Sequence, residues 1–189
     1  MATETRIESR EQRALLRKAR DTARELLGLP RASAEDIPPI PGRFGGVFVT
    51  FWAGKRLRGC VGSFASTEDI VSAVCDVTRR SLADPRFAGD PITADELPRL
   101  QIEISILSDL EATTDPLSLR PGVHGVMIRC GEKSGCFLPK VAVDHHWSAE
   151  EFLANCCTMK AGLPADAWRE SDVEVLLFTA HAFSESGFP

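Results

Sequence analysis

Two stretches of the chain, 47–62 and 125–138, read as the same device. Val47–Trp52 is a β-rich run, Ala53-Gly54-Lys55 a turn, and Arg56–Gly62 a returning strand. Gly125–Cys130, a turn at Gly131–Ser134 and a return over Gly135–Leu138 follow in the same order. By composition and turn chemistry each is a β-hairpin. Each return strand carries a Gly-Cys pair, Gly59-Cys60 and Gly135-Cys136. Behind each hairpin stands a helix start of capping-box form, Ser66–Asp69 and Ser148–Glu151. A further strand closes each half: Leu100–Leu107, with Ile102, Ile104 and Ile106 on one face and Glu103 and Ser105 on the other, and Val173–Ala182, apolar on both faces and so central. The pattern predicts an internal hairpin–helix–strand duplication with two related lobes and antiparallel sheets, and a ligand cleft between them.

Ahead of the first hairpin, Glu8–Leu27 reads as a helix, with Leu15, Leu16, Ala19, Ala23, Leu26 and Leu27 as its apolar stripe and Gly28 and Pro30 as its stop. Ile37-Pro-Pro-Ile-Pro-Gly42 is a stiff connector. With 189 residues the chain reads as one domain, 1–189, of two lobes, large enough for a core without disulfide staples. The six cysteines form no C-x-x-C pair and read as thiols of a cytoplasmic protein. No apolar run approaches the roughly 18 residues of a membrane span, and the charged first 30 residues lack a signal-peptide centre. Net charge is −5, which weighs against nucleic acid; the basic surplus in 1–31 is that of a solvated helix face.

The most unusual segment is Leu57-Arg58-Gly59-Cys60-Val61-Gly62-Ser63. Two glycines in a strand signal close approach of another backbone or of a ligand. Regular alternation puts Leu57, Gly59 and Val61 on one face and Arg58, Cys60 and Gly62 on the other. Arg58 then lies beside the Cys60 sulfur, lowering its pKa, or clamps a carboxylate or phosphate, with Glu103 orienting it. The same residues also read as a structural Arg58–Glu103 pair and a small buried thiol. A base for Cys60 would come from His124, His145, His146 or His181; His124 suits the mouth of a strand, whereas His181 reads as a core residue. Asp84-Pro85-Arg86-Phe87 is a turn in which Asp84 caps backbone amides and Arg86 faces the cleft. No dinucleotide fingerprint, P-loop, nucleophile elbow or zincin motif is present, so no cofactor or metal is called for.

LRGCVGS at 57–63, ADPRF at 83–87, ELPRLQIEISIL at 96–107, GVHGVMI at 122–128, FLPKVA at 137–142 and KAGL at 160–163 occur in the order of the AMMECR family, which the chain resembles from about Ala14 to Glu185. Leu57, Arg58, Gly59, Cys60 and Gly62 match its signature, Asp84–Phe87 its second motif, and Lys160, Ala161 and Gly162 its third. Ala88-Gly89-Asp90 stands where a proline is usual, and Lys140 where Gln is common. The resemblance implies an α+β fold of two unequal lobes with the LRGC segment near a groove. It also implies, through gene neighbourhood, association with a Memo-like protein and a radical-SAM enzyme. It supplies no settled reaction. The leading expectation is a binding or accessory component holding an anionic small molecule or peptide at Leu57, Arg58, Gly59, Gly62, Arg86, Glu103, Ser105 and His124. The alternatives are a thiol-dependent enzyme with Cys60 as nucleophile, and a nucleic-acid or regulatory adaptor.

Overall fold

The computed structural model describes residues 7–32 and 37–187; Met1–Arg6, part of the basic stretch noted above, lies outside them. The order of elements is α1 (Ser9–Leu26), β1 (Gly46–Ala53), β2 (Arg56–Ser63), α2 (Ile70–Leu82), β3 (Gln101–Leu107), β4 (Glu111–Ala112), β5 (His124–Cys130), β6 (Lys133–Phe137), α3 (Pro139–Asp144), α4 (Ala149–Asn155) and β7 (Glu174–Ser184). The fold is α+β with antiparallel strand pairing. The chain divides into two compact units of unequal size: one runs through Leu107 and regains the chain from His181, the other is Ser108–Ala180.

In the first unit β1 lies between β2 and β3. Its alternation sorts the sheet into two faces. Val47, Val49 and Phe51 with Ile102, Ile104 and Ile106 are buried in one core with Leu15, Leu16, Ala19 and Ala23 of α1 and Ile70, Val74 and Val77 of α2. Phe48, Thr50, Glu103 and Ser105 take the opposite face, as the period of two requires. Leu26, on the predicted stripe of α1, is exposed, because the helix ends there. α2 starts later than the capping signal at Ser66 predicts. Thr67 is held extended by two backbone bonds to Phe44, so Asp69 becomes the cap, its carboxylate accepting from the Ser72 N–H at 3.0 Å.

The second unit repeats the arrangement. β5 pairs β6 on one side and β7 on the other, as β1 pairs β2 and β3. β7 also takes β4, so it is flanked on both edges, as its apolar faces predict. The Ser148 capping box forms as read, with Ser148 Oγ and Glu151 exchanging bonds. The helix it starts does not stay α-helical: Cys156–Ala161 is a π-helical turn, closed by Gly162 at φ 63°. Phe137, Phe152, Leu153, Cys156, Cys157 and Trp168 build this unit's core.

Both hairpin turns place a glycine at positive φ, Gly54 at 60° and Gly131 at 56°. In both return strands the glycine of Gly-Cys lies under the C-terminal end of the unit's helix. A Cβ on Gly59 would stand 2.3 Å from the Ser81 carbonyl oxygen, and one on Gly135 2.4 Å from the Lys160 carbonyl carbon. The structural reason for the repeated Gly-Cys is thus helix backbone seated directly on strand backbone.

Gly59→Ala and Gly135→Ala each force that contact apart and are expected to lower unfolding free energy by about 1–3 kcal/mol. Gly89→Ala, with open space around it, is expected to leave it unchanged. Urea denaturation of the three variants checks this.

Candidate functional site

β2 is the edge strand of the first unit's sheet order, and an edge leaves backbone groups unpaired. At Cys60 the chain supplies both partners from the turn after α2. The Cys60 N–H donates to Asp84 Oδ2 at 3.0 Å, and its carbonyl accepts from Arg86 Nη2 at 2.7 Å. Pro85 starts the turn that lets Arg86 fold back over Asp84. Asp84 Oδ1 accepts from the Arg86 N–H and Nε at 3.1 and 3.0 Å, and Oδ2 accepts from Nη2 at 2.6 Å. The guanidinium lies 5.7 Å from the Phe87 ring centre. One residue on, the buried Ser81 hydroxyl accepts from the Val61 N–H at 3.0 Å and donates to the Val49 carbonyl at 2.8 Å. Cys60 and Val61 are therefore each held by hydrogen bonds from Ser81–Arg86, and Gly59 lies under the Ser81 carbonyl.

On the face turned away from the helices, cross-strand register lines up Cys60, Thr50 and Glu103 in one row, and Gly62, Phe48 and Ser105 in the next. The Thr50 hydroxyl donates to Cys60 Sγ at 3.3 Å. The Phe48 ring occupies the space a side chain at Gly62 would need. Leu57, expected on the Gly59 face, instead stands opposite Trp52 and continues the Cys60 face towards the turn, because the register shifts between Gly59 and Leu57. Ser105 and Thr50 are buried; Cys60 and Glu103 are half-buried.

Arg58 is not where alternation puts it. Phe51 pairs with Gly59 and Trp52 with Leu57, so Arg58 is the extra residue of a β-bulge. Its side chain, 2% exposed, forms a bidentate pair with Glu96 (Nε to Oε1 2.6 Å, Nη2 to Oε2 2.9 Å) and reaches Asp90 Oδ2 with Nη1 at 3.1 Å. The expected Arg58–Cys60 adjacency and the Arg58–Glu103 pair are both replaced: Glu103 stays in the Thr50 row, and the arginine acting on the Cys60 sulfur is Arg86.

The electrostatics follow from these contacts. Arg86, through its hydrogen bonds, holds the Asp84 carboxyl down at about 2. Burial is the largest influence on Cys60 and pushes the thiol up; the Thr50 hydroxyl and the Arg86 charge pull against it, and Asp84 and Glu103 add to it. No histidine is among the groups acting on this sulfur. His124 belongs to the second unit, where its Nδ1 accepts from the Arg120 N–H at 3.2 Å and burial pushes its pKa down. His145 stacks on Trp147 with ring centres 4.4 Å apart, and His146 adopts φ 55° in the turn closing α3. His181, predicted as core, is exposed and bonds Gln12 at 2.9 Å.

Thr50, Ser81, Asp90 and Glu96 escaped the reading by residue chemistry. Thr50 had a usable signal, as the one polar residue in Val47–Trp52. None of the six cysteines forms a disulfide. Among the described residues no cluster of three or more His, Cys, Asp or Glu could hold a metal, and no helix is long and apolar enough to cross a membrane.

The chain is matched over residues 6–183 by the family model described as AMMECR1. It is 33% identical to a protein of Methanothermobacter thermautotrophicus, the match covering 89% of this chain and 97% of the relative. It is 35% identical to one of Methanosarcina acetivorans, covering 98% and 94%. Among solved structures, the uncharacterized protein PH0010 from Pyrococcus horikoshii superposes with a TM-score of 0.80 at 35% identity, covering 91% of this chain and 90% of that one.

Asp84→Asn is expected to cost about 1.5–3 kcal/mol, the scale of hydrogen bonds to a charged group. Because the folded carboxyl sits at about 2 against an ordinary 3.8, its stabilisation is complete above pH 3.8. It is lost as pH falls towards and through 2. Acid titration of stability should show that drop in the native chain and a flatter profile in the variant. Iodoacetamide labelling of Cys60 should titrate above free cysteine, and Arg86→Ala should move it higher still.

Proposed function

The chain belongs to the AMMECR1 family, and from that premise we propose that it is a binding or accessory component rather than a free-standing enzyme. The helix-free face around Cys60 and the rim at Arg86 hold an anionic group of a small molecule or of a partner's peptide. The observation that carries this reading is the state of Arg86. Asp84 locks its Nε and Nη2 edge, while Nη1 has no hydrogen-bond partner among the described residues and the side chain is 53% exposed. A guanidinium fixed on one edge and open on the other is pre-oriented for a carboxylate or phosphate.

The thiol-enzyme reading is the weaker one. The largest influence on Cys60, burial, disfavours the thiolate, and the Asp84 and Glu103 carboxylates add to it. The adaptor reading lacks support from an acidic chain of net charge −5. By family resemblance the partners are a Memo-like protein and a radical-SAM enzyme, in a shared modification pathway.

Co-expression with those two proteins from the same genome tests the proposal. The tagged chain should retain at least one of them, and Arg86→Ala should cut retention by about tenfold, the effect of one charge-assisted contact. Cys60→Ser should leave it nearly unchanged. Absence of retention by the native chain overturns the binding role, and loss with Cys60→Ser but not with Arg86→Ala transfers it to the thiol.

A further inference from the structure

A cluster of arginines lies in the first unit, around a hollow whose lining includes neither Cys60 nor Arg86. Beside the β1–β2 turn a shallow hollow of about 570 Å³ is lined by Arg56, Arg58 and Arg99, with Asp90 and Glu96. Glu96 is fully engaged, its two oxygens fixing the plane of the buried Arg58 guanidinium. The remaining Arg58 edge, Nη1, meets Asp90 Oδ2 at 3.1 Å, and that same oxygen takes Arg56 Nη2 at 2.9 Å. Asp90 thus offers one oxygen to two guanidiniums, while Oδ1 has no hydrogen-bond partner among the described residues. Arg99 makes only a 3.4 Å contact with the Asp95 carbonyl. With Glu96 matched to Arg58, Asp90 is the one remaining carboxylate among the lining residues, against Arg56 and Arg99.

The Asp90 carboxylate is held at the surface. Its side chain is 63% exposed, Arg56 is 68% exposed, and a Cβ added at Gly89 before it would meet nothing. Exposed pairs of this kind contribute little to stability. Arg58, by contrast, is a built feature. It is the inserted residue of a bulge, and the matching β5–β6 hairpin has no such insertion: Gly54 to Gly59 spans five positions, Gly131 to Gly135 four. Bulges re-aim side chains, and this one points a buried, rigidly held guanidinium edge at the hollow.

We propose that this hollow binds a small multivalent oxyanion, a di- or tricarboxylate or a phosphorylated metabolite, and that Asp90 is an internal stand-in which the ligand displaces from Arg58 and Arg56. Arg99 takes the second anionic group. The site is separate from the Arg86 face and does not depend on the reading given for it.

Isothermal titration of the full chain with citrate, and separately with inorganic phosphate, tests the proposal. Saturable binding of either is expected, weakening as salt is raised. Asp90→Ala should tighten it and Arg56→Ala and Arg99→Ala should each weaken it, by about tenfold per charged contact. All three residues are exposed, and matching thermal melts will confirm that the variants fold. No saturable heat with either anion, in the native chain and in Asp90→Ala, overturns the proposal. So does binding that survives Arg56→Ala and Arg99→Ala but disappears with Arg86→Ala, which would assign the anion to the other face. Failure of partner retention leaves this result untouched.

Discussion

An edge strand with nothing beside it must find partners for its outward backbone groups, and the site in this protein grows from how β2 finds them. Six residues, Ser81 to Arg86, provide the answer: a carbonyl seated on Gly59, a carboxylate and a guanidinium on Cys60, and a hydroxyl set between Val61 and Val49. Remove the glycine and the helix cannot approach. Move the aspartate and the arginine loses its orientation. The second motif of the chain, Asp84–Phe87, is intelligible as the complement of the first.

The hairpins, the long N-terminal helix and the division of β3 into an apolar and a polar face were legible from periodicity, because each is a repeat of two or of 3.6 in a segment buried on one side. The Cys60–Glu103 face was legible for the same reason, and its middle member, Thr50, lay in plain view on β1. Arg58 was not. Alternation assumes that every residue advances the strand by one step, and the bulge breaks that assumption at Arg58: Gly59–Gly62 keep their alternation, but Leu57 before it moves to the Cys60 face. The partners Glu96 and Asp90 sit more than thirty positions away on the connection to β3, where local patterns carry no information. The misplaced cap at Ser66 has a similar origin: a tertiary contact with Phe44 keeps Thr67 extended.

The arginine that matters for the thiol therefore comes from a different segment than its own. This changes the chemistry available. Arg86 is shared between Asp84 and the Cys60 carbonyl; its charge pulls the thiol down, but burial outweighs it. Such an arrangement disfavours the thiolate form of Cys60.

That the hairpin occurs twice, once with an inserted residue and once without, has a practical meaning. Ala53, Trp52, Phe51 and Thr50 meet Arg56, Leu57, Gly59 and Cys60 in the same sequence of partners as Cys130, Arg129, Ile128 and Met127 meet Lys133, Ser134, Gly135 and Cys136. The molecule thus carries its own blank. The second hairpin shows that the ladder closes with one residue fewer, so the loop-facing arginine is an addition to the scaffold and not a requirement of it.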